Sequence, residues 1–243
     1  MKFKKTSQGS IAYCQHTPSD IEPSWFGAEF WREKSAITGS SKGRYTTWFV
    51  DASKIEAEQN QWVLRHYYRG GLIAKISRDQ YFFTDLQKTR AIAELALLET
   101  LYKQGFAVPK PIAANVEHSG LLYRADLIIE RVDGAEDLVA RLSKTAMSES
   151  QWQSLGKAIA EFHNYGVYHA DLNAKNILIT DDKFYLIDFD RGELKKPNAQ
   201  WQQANMSRLL RSFRKELGKL NTLAFSEDNW LQLHQAYQAK LKS

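Results

Sequence analysis

The period of apolar positions shifts along this chain, and the shifts mark out its elements. Residues 45–50, Tyr-Thr-Thr-Trp-Phe-Val, are dense in β-branched and aromatic side chains, and residues 61–68 repeat that character; both predict strands. Gly70-Gly71 predicts a turn after the second. Over residues 89–104 the spacing becomes helical, with Ile92, Leu95, Leu98 and Leu101 on one stripe and Gly105 at its end. Val108-Pro109-Lys110-Pro111 predicts an extended linker, because a residue before proline avoids the helical region. Residues 121–132 hold one or two strands ending at Glu130. A second helix starts at Ser148, where Ser148 and Gln151 have capping-box spacing; it buries Trp152, Leu155, Ile159 and Phe162, and Gly166 stops it. Residues 176–180 and 183–189 pair as a short hairpin around Asp181-Asp182. From about Gln200 the chain reads as helical, with a break over residues 221–226. Residues 1–36 carry no sustained period beyond a short helix over 28–36. Strands with one helix come first and helices dominate later. This order predicts an α+β chain of two lobes with a cleft near residues 131–135: a β-rich N-lobe over 1–131 and a mainly helical C-lobe over 132–243.

Composition adds little to that picture and removes some alternatives. The 243 residues are 43% hydrophobic and 25% charged, with seven Trp, eleven Tyr and twelve Phe to build a core. One cysteine, Cys14, permits no internal disulfide and suits a reducing compartment; with six scattered His it also argues against structural zinc. No stretch is long and apolar enough to predict a membrane span, and the basic Met1–Lys5 start leads into no apolar signal core. The formal charge of +5 fits an anionic partner without choosing among nucleotide, nucleic acid and membrane surface. The basic residues match no nucleic-acid motif, so nucleic acid is not an expected partner.

The candidate chemistry lies in His169-Ala170-Asp171-Leu172-Asn173-Ala174-Lys175-Asn176, followed by Leu186-Ile187-Asp188-Phe189-Asp190. A lone carboxylate precedes an amide by five residues, and a second carboxylate ends an apolar run. Phosphoryl transfer uses such parts: a carboxylate to accept the proton of an incoming hydroxyl, and an amide oxygen with a carboxylate to hold magnesium. Asp171 is the candidate base. Asn176 and Asp188 are oxygen donors suited to Mg2+, which binds through few protein ligands and keeps waters. His169 is read as supporting the loop through a hydrogen bond rather than as a proton shuttle. The turn-rich basic stretch Gly39-Ser40-Ser41-Lys42-Gly43-Arg44 is a candidate loop whose backbone N–H groups, at Gly39 and Gly43, cover phosphates. It is neither a G-x-G-x-x-G nor a P-loop.

The loop and the segment after it resemble the H-x-D-x-x-x-x-N and D-F-G segments of protein kinases. That resemblance implies ATP as cofactor and puts Arg65, in the second strand, where kinases carry the lysine that pairs the α- and β-phosphates. Glu94 on the next helix is its natural partner, and Lys75 is the alternative phosphate cation. A guanidinium also binds phosphate, in a bidentate way.

Along most of its length the chain further resembles the lipopolysaccharide-core kinases of Gram-negative bacteria, and among them those acting on 3-deoxy-D-manno-octulosonic acid (Kdo). Carrying this are Gly39–Arg44 with Thr46-Thr47, Leu64-Arg65-His66-Tyr67-Tyr68-Arg69-Gly70-Gly71-Leu72, Val108-Pro109-Lys110-Pro111-Ile112-Ala113-Ala114, Asp171–Asn176, Asp188-Phe189-Asp190 and Arg208-Leu209-Leu210-Arg211-Ser212-Phe213. The resemblance implies ATP- and Mg2+-dependent phosphorylation of Kdo on a lipid A precursor, expected at the 4-hydroxyl. It also implies peripheral association with the anionic cytoplasmic face of the inner membrane. Core-heptose kinases, small-molecule sugar kinases and a binding module on a kinase fold are the alternatives. Three departures stand out. Tyr45 takes the place of an expected glycine, Ala170 replaces the arginine of H-R-D, and no A-P-E follows Asp188. An activation loop ruled by an arginine–phosphoresidue pair is therefore not expected. Lys42, Arg44, His66 and Arg69 are candidates to meet an anionic acceptor. Arg208, Arg211, Arg214, Lys215 and Lys219 form a basic series, either against anionic lipid or as a solvated outer face. Trp25-Phe26 and Phe30-Trp31 are read as capping a core in preference to entering a membrane.

Overall fold

The computed structural model describes residues 1–42, 46–55, 60–69, 78–181 and 183–242, with Lys42 described by its backbone alone. The chain divides into two compact units: Met1–Gln104 with Pro109–Val132, and Gly105–Val108 with Asp133–Ser243. The boundary falls one residue after the one the sequence predicts, and Gly105–Val108 moves to the second unit. The cause is local. The Ala107 carbonyl accepts from Leu186 N–H at 3.1 Å, and Phe106 packs its ring on Phe162 and Tyr165.

The first unit is built on an eight-stranded antiparallel sheet. Its strands are β1 (Lys2–Lys5), β2 (Gly9–Tyr13), β3 (Ile37–Lys42), β4 (Thr46–Asp51), β5 (Gln61–His66), β6 (Tyr81–Phe82), β7 (Pro111–Ser119) and β8 (Leu122–Glu130). They run in the order β1-β2-β7-β8-β5-β4-β3, with β6 also paired to β8. Among the described residues two α-helices accompany them, α1 (Ala28–Glu33) and α2 (Arg90–Lys103). On β5, Trp62 and Leu64 point to one face and join Ile11, Trp25, Phe26, Trp31 and Val50 in a core cluster. Trp31 is fully buried, stands edge-on to Trp62 at 5.9 Å, and donates its indole N–H to the Trp25 carbonyl at 2.7 Å. The entry aromatics thus cap this core; Phe30 is half-buried against it.

Three expectations change here. Gly39–Lys42 belong to β3, an edge strand in register with β4 from Gly39↔Phe49 to Lys42↔Thr46, and not to a loop. Backbone hydrogen bonding to β4 decides this over the turn-forming glycine and serines. Gly43, Arg44 and Tyr45 lie outside the described residues, as do the turn at Gly70-Gly71 and Lys75. Pro111 opens β7 instead of ending a linker. Proline is tolerated as a first strand residue, and Ile112-Ala113-Ala114 are buried because β7 lies between β2 and β8. The unperiodic N-terminal segment supplies β1 and β2.

The second unit is mainly helical: α3 (Leu138–Leu142), α4 (Glu149–Tyr165), α5 (Ala199–Leu217) and α6 (Glu227–Lys240). Its small strands are β9 (Glu136–Asp137), β10 (Val167–Tyr168), β11 (Ile177–Thr180), β12 (Lys183–Leu186) and β13 (Glu193–Leu194). Strands β9, β11 and β12 form one sheet, β10 and β13 another. The α4 capping box is complete: Ser148 Oγ accepts from Gln151 N–H at 3.2 Å, and Gln151 Oε1 accepts from Ser148 N–H at 2.9 Å. Gly166 takes φ 95° and ends α4, a left-handed backbone that glycine adopts freely. Its carbonyl accepts from Lys195 N–H at 2.7 Å, which starts the chain into β10 and the loop beyond.

Candidate active site

The loop after β10 begins at a buried histidine. His169 is 1% exposed, and both ring nitrogens are used. Nδ1 accepts the Asp171 backbone N–H at 3.2 Å; the proton therefore sits on Nε2, which donates to the Ile187 carbonyl at 3.0 Å. Burial holds the imidazole below its ordinary pKa, in the neutral form these bonds require. His169 so ties the loop to the Asp188 segment, and its ring packs on the buried Phe189 at 4.9 Å. It has no spare nitrogen with which to shuttle a proton.

Asp171, in the turn that follows His169, keeps 61% of its side chain exposed. Asn173 Nδ2 donates to its carboxylate at 3.2 Å and to its carbonyl at 3.1 Å. Asn173 Oδ1 in turn caps the single helical turn Ala174–Asn176, accepting the N–H groups of Lys175 and Asn176. That turn aims Asn176, whose Nδ2 donates to the Asp171 carbonyl at 3.0 Å. The amide nitrogen is thereby committed, and Oδ1 is the atom left to act as a donor toward a cation.

Asp188 reaches the same place by strand register. β11 and β12 pair Ile177 with Leu186, and Ile187 N–H continues the ladder to the Asn176 carbonyl at 3.0 Å. Asp188 is the next residue. It sits at φ 63°, a left-handed conformation that a non-glycine residue adopts at a cost of about 1 kcal/mol. The Asp188 side chain is half-buried. Asp171, Asn176 and Asp188 are thus assembled by one loop and one hairpin. The donor set, one amide oxygen and one carboxylate, fits magnesium, a hard cation that takes few protein oxygens.

Helix α5 supplies residues that were not singled out for this role from sequence. Asn205 Oδ1 accepts His169 N–H at 3.3 Å, and Asn205 Nδ2 donates to the His169 carbonyl at 3.0 Å. Arg208 Nη1 meets Asp171 Oδ1 at 3.3 Å. Ser212 Oγ accepts Ala174 N–H at 2.9 Å, and Glu216 pairs with Lys175 at 3.5 Å. Residues 205, 208, 212 and 216 lie on one helical stripe. The polar residues of that stripe, next to the buried Leu209 and Phe213, were the signal available in the sequence.

The first unit holds the remaining candidates. Alternation along β5 turns Arg65 away from the Trp62/Leu64 core, toward α2. Its Nη1 pairs with Glu94 Oε1 at 2.9 Å. Glu94 lies on the buried face of α2 at 2% exposure and also accepts from the Tyr67 hydroxyl. The Arg65 guanidinium stands over the Tyr67 ring at 4.9 Å. His66 is caged by Asp126, with Nδ1 to Oδ1 at 2.6 Å, and by Asp79 at 3.4 Å. Burial opposes its charge, but the two carboxylates outweigh burial and raise its pKa. Arg69 stands over Tyr81 at 5.0 Å. Gly39 is an edge-strand residue opposite Phe49; Gly43 and Lys75 lie outside the described residues.

Fold and site define a protein-kinase-like phosphotransferase. The model of the lipopolysaccharide kinase (Kdo/WaaP) family matches residues 28–237, and the chain belongs to that family. It is 47% identical over 220 residues to 3-deoxy-D-manno-octulosonic acid kinase of Mannheimia succiniciproducens, covering 88% of this chain and 90% of that one. It is 47% identical over 195 residues to the protein of the same name from Vibrio parahaemolyticus, covering 80% and 79%. Among solved structures, WaaP in complex with acyl carrier protein superposes with a TM-score of 0.53 at 13% identity, covering 86% of this chain and 82% of that one, a likeness of fold.

Proposed function

We propose that this chain transfers the terminal phosphoryl group of ATP to a hydroxyl of Kdo on a lipid A precursor, at the 4-position. The observation that carries the reading is the Asp171–Asn176–Asp188 constellation, in a chain 47% identical to curated Kdo kinases across most of its length. The acceptor oxygen forms its bond to phosphorus as the bond to the departing ADP oxygen breaks. Asp171 orients the hydroxyl and takes its proton. Its exposure leaves it open to an incoming sugar, while Asn173 keeps the carboxylate oriented. Asn176 Oδ1 and Asp188 would hold Mg2+, which neutralises charge on the phosphates when bound. Arg65, held in place by Glu94, is the phosphate cation of the first unit, with Lys75 as the other candidate.

The same reading places the protein at the cytoplasmic face of the bacterial inner membrane, peripherally bound. Of the basic series on and after α5, Arg208, Arg214 and Lys219 are engaged by Asp171, Glu227 and Glu216. Arg211 and Lys215 are exposed and are the members proposed to meet anionic lipid, at about 1 kcal/mol each near the surface.

A competition assay tests the acceptor. Kdo-bearing and heptose-bearing lipid acceptors are mixed at equal concentration with γ-labelled ATP. Label on the Kdo product supports the reading, and label confined to the heptose product overturns it.

A further inference from the structure

The Arg208–Asp171 pair makes little sense as a stabilising contact. Both partners are largely exposed, 47% and 61%, and an exposed ion pair contributes almost nothing to folding. Yet α5 is held against the loop by Asn205 one turn before it and Ser212 one turn after it. Arg208 is therefore delivered to the candidate base by a rigid element. It uses one N–H of a five-donor fork on Asp171 Oδ1. Asp171 Oδ2 is served separately by Asn173.

Resting on the Kdo reading, we propose that Arg208 is the specificity residue for an acidic sugar, binding the acceptor's carboxylate beside Asp171. The chemistry requires such a group. In Kdo reacting at the proposed 4-hydroxyl, the ring carbon that bears the carboxylate lies two positions from the one that bears the hydroxyl, which brings a second carboxylate near that of Asp171. Two anions so close repel. A cation bridging them removes the repulsion and fixes the ring, and a guanidinium suits two carboxylates because its donors form a planar fork. A neutral sugar has no use for that cation. The residue before Asp171, Ala170, carries no charge; among the described residues, the cation paired with the Asp171 carboxylate comes from α5.

The test is a two-by-two cycle: wild type and Arg208→Gln, each with the Kdo-bearing acceptor and with its carboxamide. In the wild type, the carboxamide should lower kcat/KM by roughly 10- to 100-fold, the range of a hydrogen bond to a charged group. In Arg208→Gln the two acceptors should be used alike, KM for ATP should be unchanged, and Arg208→Lys should restore part of the discrimination. Arg214→Gln makes the same charge change on the same helix, away from the loop, and should keep the full discrimination. Discrimination retained in Arg208→Gln overturns the inference and leaves the Kdo reading standing. A wild type that phosphorylates neither acceptor overturns that reading, and the inference with it.

Discussion

A carboxylate on the buried face of a helix needs partners, and those of Glu94 include Arg65 and the Tyr67 hydroxyl. Removing one partner of a buried pair costs several kcal/mol, because the other charge is left desolvated. With Tyr67 still in place, Arg65→Ala should destabilise the protein by about 3 kcal/mol in urea unfolding. In steady-state kinetics it should lower kcat/KM for ATP far more than acceptor affinity; unchanged ATP kinetics would move the phosphate role to Lys75. This pair was named from the sequence through the kinase resemblance, which pairs the strand cation with a glutamate on the next helix. The Arg208–Asp171 contact was not. It joins residues 37 apart, and nothing local states which turn of α5 meets the loop.

At the scale of elements, the strong signals are the caps and the stops. The capping box at Ser148 and the left-handed Gly166 bound α4 as their spacing predicts. β7 escaped notice because its alanines have weak strand propensity, and its assignment comes from two neighbouring strands. The packing of α4 on α6 also lies beyond local reading. A Cβ built on Gly156 would stand 2.1 Å from the Leu233 carbonyl oxygen, so the two backbones touch where a side chain would separate them. Gly156→Ala should cost about 3 kcal/mol despite its better helix propensity, because overpacking against a backbone atom cannot be relieved by a rotamer change. A thermal melt at or above the wild-type midpoint would contradict that packing.

Across the whole molecule, buried histidines set a pH response. Burial holds His163, which shares a hydrogen bond with the Tyr237 hydroxyl at 2.8 Å, down to about 4 from an ordinary 6.5. His169 is lowered too, chiefly by burial, and His16, though an exposed residue, by partial desolvation of its ring. For these groups the unfolded chain binds more protons as pH falls below 6.5, so stability is lost in that direction. His66 has the opposite sign. Its raised pKa contributes stability fully present below 6.5 and lost as pH rises through its folded value, so it adds no slope below 6.5. The lowered acids Glu99, Glu136 and Glu216 act only below their ordinary 4.5. Between pH 6.5 and 4.5 the histidines therefore govern, and His163 alone accounts for as much as about 3 kcal/mol over its full shift. Urea midpoints should fall clearly from pH 7 to pH 5; a flat profile would contradict the burial.

The α+β architecture and the loop-and-hairpin geometry were readable because they depend on short-range spacing. What the sequence left open, the strand order of the first unit and the α5 stripe against the loop, depends on contacts far apart in the chain. The most direct test of the account combines magnesium-ATP with a Kdo-bearing lipid A precursor and weighs the product made by wild type and by Asp171→Ala. The account predicts a gain of one phosphate in the wild type. It predicts a rate lower by roughly 10²- to 10⁴-fold in the variant, with nucleotide binding retained. Equal rates in the two proteins would contradict it.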